Sequence, residues 1–122
     1  MSTPANVLIL SKDLLFSSQL HGAVQRAGRQ GRTCLSQPGC LQQLEAAQAE
    51  YIIIDLAMPD LNLAEVRVAA GPDCQLIGYA PHVREDLLAM AQQAGCDTIL
   101  TRGQAAKMIE KLLRPAASSQ MP

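Results

Sequence analysis

Tyr51-Ile52-Ile53-Ile54-Asp55 runs straight into Leu56-Ala57-Met58-Pro59-Asp60, and the reading of this stretch decides the fold. A strand with one wet face alternates polar and apolar residues. Here four apolar residues are consecutive, three of them β-branched isoleucines, so both faces of the strand are covered. Pro59 cannot donate to a ladder, which ends the strand before it. Asp55 therefore stands where the backbone leaves the sheet, the edge at which open parallel α/β sheets gather their ligands. An aspartate there can also do no more than start a turn, so its meaning depends on the other strand ends.

Upstream, Asn6-Val7-Leu8-Ile9-Leu10 is a second unbroken apolar run, closed by Ser11-Lys12-Asp13. Leu14, Leu15, Ser18, Leu20, Ala23, Val24 and Ala27 then recur at helical spacing, and Gly28 and Gly31 end that helix. Thr33-Cys34-Leu35 reads as a brief strand, Pro38-Gly39 as a loop, and Leu41, Leu44, Ala47 and Ala49 as a second helix. Downstream, Leu61, Leu63, Val66, Val68 and Ala69 give a short helix cut off at Gly71-Pro72. Cys74 to Tyr79 is a strand stopped by Pro81, and Val83, Leu87, Leu88, Met90, Ala91 and Ala94 form a helix ending at Gly95. Thr98-Ile99-Leu100-Thr101 is the last strand. Gln104 to Leu113 is the last helix, with Ala106, Met108, Ile109, Leu112 and Leu113 inward and Pro115 stopping it.

Strand and helix thus alternate five times, which calls for one parallel sheet with helices on both faces. Right-handed crossovers bring Asp55 and the turns at Ser11-Lys12-Asp13, Tyr79-Ala80-Pro81 and Thr101-Arg102-Gly103 to one edge. With 122 residues the chain is the size of one domain, expected over 1–115 with a short polar lead at 1–5 and a flexible tail at 116–122. Aromatics make up 2% and the formal charge is -1, which gives little means of stacking on bases or neutralising phosphates. A nucleic-acid partner is not expected. No apolar run approaches the length of a membrane span, so a soluble protein is expected, and the cysteine usage together with an amino terminus that lacks a charged start followed by an apolar stretch makes a cytoplasmic protein with reduced thiols the expectation. Cys34, Cys40, Cys74 and Cys96 lack metal-ligand spacing, as do His21 and His82, and no metal or other cofactor is expected.

The third strand ending in Asp55, followed by Met58-Pro59-Asp60, and the Ala94-Gly95-Cys96-Asp97 corner before the last strand resemble receiver domains of the two-component response regulators. The resemblance covers roughly Asn6 to Leu113. It implies a flavodoxin-like sheet of strand order 2-1-3-4-5 and makes Asp55 the phosphoacceptor candidate. It also implies a bacterial phosphorelay setting, with a histidine kinase or an output protein as partner.

Against the family's pattern, several parts of the site are changed. The two acidic positions that hold magnesium after the first strand fall on Ser11 and Lys12. An ammonium there competes with a cation that needs oxygen ligands, and Asp13 is offset by one and suited to capping the helix. The hydroxyl position after the fourth strand falls on Ala80, and the lysine position after the fifth on Arg102, followed by Gly103 instead of proline. Ile99 takes the usual aromatic position, and Leu63 that of a glycine. This suits a receiver that keeps its fold while its phosphorylation chemistry is impaired.

The expectation is therefore a non-enzymatic, phosphorylation-independent interaction module. Its implied surface is the family's, made by the last two helices and last strand, with Arg84, Glu85, Gln92, Gln93, Ile99, Lys107 and Lys111 on it, and a homodimer through the same surface is the implied assembly. One alternative keeps Asp55 as phosphoacceptor, with magnesium or with Lys12 and Arg102 as the compensating cations. Another makes the strand edge a pocket for a small anionic ligand. In the leading reading a cation replaces the metal: Arg102 approaches Asp55, with Lys12 as its rival.

Overall fold

The computed structural model describes residues 6–114. The lead at 1–5, Pro115 and the expected tail at 116–122 lie outside the described residues. In chain order the elements are β1 (Val7–Leu10), α1 (Leu14–Arg26), β2 (Gly31–Cys34), α2 (Gln37–Ala46), β3 (Tyr51–Asp55), α3 (Leu63–Ala70), β4 (Gln75–Ala80), α4 (Glu85–Gln93), β5 (Thr98–Thr101) and α5 (Arg102–Leu113). All four strand pairings are parallel, and the strand order is β2-β1-β3-β4-β5. This is the expected α/β architecture.

The two sides of the sheet explain why the central strands are unbroken apolar runs. Leu8, Leu10, Ile52, Ile54 and Leu76 pack with Cys40, Val66 and Ala91 from α2, α3 and α4. The alternate residues Val7, Ile9, Ile53, Ile77 and Tyr79 pack with Phe16, Leu20, Ala105 and Ile109 from α1 and α5. Ile52, Ile53 and Ile54 are fully buried, each contributing about 1.5–3 kcal/mol by leaving water. In β4 the chain passes so close to its neighbours that a Cβ on Gly78 would meet Leu56 at 3.0 Å and Cys96 Sγ at 3.1 Å.

The element boundaries correct several expectations. Gly31 does not end α1; it opens β2, which starts two residues earlier and ends one residue earlier than the expected Thr33-Cys34-Leu35, while Gly28 at φ 82° turns the chain out of the helix. Pro38 and Gly39 are helical: Ser36 caps α2 by accepting from the Gly39 amide at 3.1 Å, and proline is compatible with a first turn. Leu14 and Leu15 face outward, as does Ser18, because the cap at Asp13 sets the phase of α1 so that Phe16 and Leu20 face the sheet. Val83 precedes α4 and is exposed. In α5, which starts at Arg102, Ala105 is inward in place of Ala106 and Met108. His21 lines α1, where its Nε2 lies 3.1 Å from the Gly31 carbonyl oxygen.

Candidate functional site

Parity of the strands assembles the site. Two residues beyond Ile9 and Ile53 on the α1 and α5 side come Ser11 and Asp55, and Tyr79 is the register partner of Asp55. Ser11 is fully buried. Its Oγ accepts from the Asp13 amide at 3.0 Å and from the Tyr79 hydroxyl at 3.4 Å. The Tyr79 ring in turn lies 5.1 Å from Phe16, centroid to centroid, at 56°. Burial pushes the Tyr79 phenol up to about 12, so it stays neutral and serves as a donor.

Above this layer, Asp13 caps α1 by accepting from the Phe16 amide at 3.0 Å. Its other oxygen accepts from Arg102 Nη2 at 2.7 Å, and the Arg102 guanidinium lies over the Phe16 ring, 4.4 Å from its centroid. The Phe16 amide, and after it Arg102, hold the Asp13 carboxyl below the ordinary carboxylate range. Asp55 is half-buried and accepts from the Ala57 amide at 3.0 Å. Burial raises its pKa and the Asp13 charge adds to this, while the Ala57 amide, the Arg102 charge and the Ser11 hydroxyl oppose it. The loop beyond is tied by the Leu56 amide to the Tyr79 carbonyl at 2.9 Å, and turns at Asp60, whose φ of 61° an aspartate tolerates.

The predicted residues are therefore brought to one edge, but not in the predicted pairing. Neither Arg102 nor Lys12 makes an ion pair with Asp55 within 4.0 Å, which overturns the expectation of a cation on the acceptor carboxylate. Arg102 has a nearer and more exposed partner in Asp13 and an aromatic face to lie on, while the Lys12 side chain is exposed. Ala80 is fully buried and belongs to the opposite half of the core, with Ala91. Phe16 escaped the sequence reading, and Tyr79 entered it only as part of the turn after the fourth strand, with no role of its own. Aligning the ends of the third and fourth strands would have set Tyr79 opposite Asp55.

The donor set does not fit a magnesium ion. The ion takes near-octahedral oxygen ligands, whereas Ser11 Oγ is engaged beneath the surface, position 12 brings an ammonium and Asp13 is shared between a helix cap and Arg102. Among the described residues no group of three or more His, Cys, Asp and Glu side chains could hold a metal. Nor is any described helix long and apolar enough to cross a membrane. On the other expected surface, Arg84, Glu85, Gln92, Gln93, Lys107 and Lys111 are exposed and Ile99 is half-buried, with Arg84 paired to Asp86 at 3.0 Å.

No family model matches the chain, and no curated protein sequence matches it. Solved structures do. A response regulator from Burkholderia pseudomallei, described with a phosphorylated aspartic acid, calcium and citrate, superposes with a TM-score of 0.76 at 20% identity, over 95% of this chain and 70% of that one. The chemotaxis response regulator CheY4 of Vibrio cholerae gives 0.76 at 18%, over 91% and 97%. The receiver domain of NtrC4, solved as a beryllofluoride-activated dimer, gives 0.72 at 18%, over 88% and 94%. At these identities the likeness is one of fold: five parallel strands and five helices arranged as in CheY-like receiver domains.

Proposed function

We propose that the chain is a receiver-like signalling domain that acts by binding proteins, independently of phosphorylation and without catalysis of its own. The observation that carries this reading is the engagement of Arg102 by Asp13 at 2.7 Å, away from Asp55. Phosphoryl transfer relies on preorganised cations where charge develops. Here the cation at the end of β5 is neutralised by Asp13, a carboxylate that also caps α1. Ala80, lacking a hydroxyl, has no group with which to follow a phosphoryl oxygen. The surface of α4, β5 and α5, bearing Arg84, Glu85, Gln92, Lys107 and Lys111, is the binding surface that the fold likeness supports, and a homodimer through it is part of the proposal.

Incubation of the chain with acetyl phosphate and magnesium, followed by intact-mass measurement, tests the reading. The expected outcome is an unchanged mass. A stoichiometric phosphoryl adduct that Asp55→Asn abolishes would overturn it in favour of a phosphoacceptor function.

A further inference from the structure

Helices α2 and α3 pack side by side on one face of the sheet, and an open furrow runs between them on the solvent side. It starts in a hollow of ≈ 430 Å³ where Lys12, Leu41, Met58, Asp60 and Glu65 meet. A second hollow, of ≈ 610 Å³, shares Leu41 and Glu65 with the first and adds Leu44, Glu45 and Val68. A third, of ≈ 350 Å³, shares Leu44 and ends at Asp73. Each has the volume of a small-ligand pocket, yet all three are open to solvent and continuous along α3, whose eight residues span about 12 Å. The shape suits two turns of a helix better than an enclosed small molecule.

The floor of the furrow is apolar. Leu41 and Leu44 are half-buried and Val68 is 81% exposed, with its aliphatic surface in water. The rim is acidic. Asp60, Glu65, Glu45 and Asp73 line it, and none of the four takes part in an ion pair among the described residues. Among the described residues Lys12, at one end, is the sole cation along its walls. Arg26, Arg29, Arg67, Arg84, Arg102 and Arg114, in contrast, are each neutralised by a carboxylate of the same chain.

We infer that this furrow docks an amphipathic helical segment of a partner protein, with aliphatic anchors toward Leu41, Leu44 and Val68 and lysine or arginine on its flanks. Apolar anchors spaced by three and four residues are how such grooves are filled, and the uncompensated carboxylates select the flanking charge. A second copy of this chain is disfavoured as the occupant, because a two-fold pairing would face one acidic rim with another. The inference rests on the proposed protein-binding function and puts a partner in the furrow between α2 and α3, apart from the surface made by α4, β5 and α5.

The test is an NMR titration of the full ¹⁵N-labelled chain with two synthetic peptides of equal length, one with leucine anchors and lysine flanks, the other with glutamate replacing each lysine. The lysine peptide is expected to give saturable shifts at the amides of Leu41, Leu44, Glu65 and Val68, with the glutamate peptide about tenfold weaker or more. Binding of the lysine peptide should fall by about the same factor in Val68→Asn and in Glu45→Lys, two exposed changes that leave the Gln37–Glu65 link intact. Equal response to both peptides, no response up to about 1 mM, or shifts confined to α4, β5 and α5 would each overturn the inference. So would dilution-sensitive shifts of the same amides without peptide, which would assign the furrow to a second copy. Phosphorylation of Asp55 by acetyl phosphate would count against the protein-binding proposal alone, and silent α2 and α3 amides against this inference alone.

Discussion

Arg102 Nη2 donates to Asp13 Oδ2 at 2.7 Å, joining the first residue of α5 to the cap of α1 across the end of the sheet. The pair sits at the rim and is partly exposed on both sides. It takes a cation from Asp55 and a carboxylate from any metal in one contact. Among the described residues Asp55 is left with the Ala57 amide as its one close hydrogen-bond partner, above the buried Ser11 and Tyr79 hydroxyls.

A set of substitutions separates the two uses of Asp13. Asp13→Ala removes the cap and the ion pair, Asp13→Asn keeps an oxygen for the Phe16 amide but loses the charge, and Arg102→Ala loses the pair and the contact with Phe16. Urea midpoints should fall most for Asp13→Ala, since helix caps outweigh exposed ion pairs. The Asp13→Asn loss should shrink as salt is raised, because exposed charges are screened. A larger loss for Asp13→Asn than for Asp13→Ala would refute this division.

Asp13 and Asp55 should respond to pH with opposite signs. The Asp13 carboxyl is depressed in the fold, so its charge supports stability above the ordinary value of 3.8, and that support is lost as pH falls through the lower folded value. The Asp55 carboxyl is raised by burial, so its charge costs stability at neutral pH, and the cost disappears as pH falls from the raised value to 3.8. Asp55→Asn, which keeps an acceptor for Ala57, should raise the midpoint slightly at pH 7 and lose that gain near pH 4. Asp13→Asn should lower it at pH 7. Denaturation at several pH values decides, and parallel behaviour of the two variants would contradict the assignment.

Such relations were only partly legible in the sequence. Three consecutive isoleucines have no wet face, so the central strand and the layered fold could be read from Ile52 to Ile54. The edge strand β2 was misplaced because Gly31 and Arg32 carry no apolar signal, its start being set by pairing with Val7 and Leu8. The outward turn of Leu14 and Leu15 follows from the cap at Asp13, which shifts the buried stripe to Phe16 and Leu20. Position along the chain could bring Arg102 to the right edge, but not choose between two carboxylates there. That choice was made by the Phe16 ring beneath it and by the exposure of Asp13.

Core changes should outweigh any change at the site. Ile53→Ala removes a fully buried side chain from the α1 and α5 half of the core and should cost about 2–5 kcal/mol. Gly78→Ala should cost about 1–3 kcal/mol, because the added methyl group meets both Leu56 and Cys96 inside ordinary contact distance. Chemical denaturation measures both. A Gly78→Ala variant as stable as the parent would mean that the Leu56 side chain moves aside freely.

The last prediction asks whether the altered strand end is what keeps magnesium away. In the parent chain, magnesium at about 10 mM should leave the thermal midpoint unchanged, since Asp55 is the one carboxylate at the ends of β1 and β3 that neither caps a helix nor pairs with a cation among the described residues. Ser11→Asp combined with Lys12→Asp adds two carboxylates and removes the ammonium. Without metal that double variant should be less stable, because position 11 is fully buried and the new charge faces Asp55. With metal the midpoint should rise with concentration, as it does for any ligand that binds the folded state alone. Lys12→Asp by itself changes an exposed residue and should be tolerated with little metal response. A parent chain stabilised by magnesium as strongly as the double variant would show that Asp13 can leave Arg102 and turn to the ion.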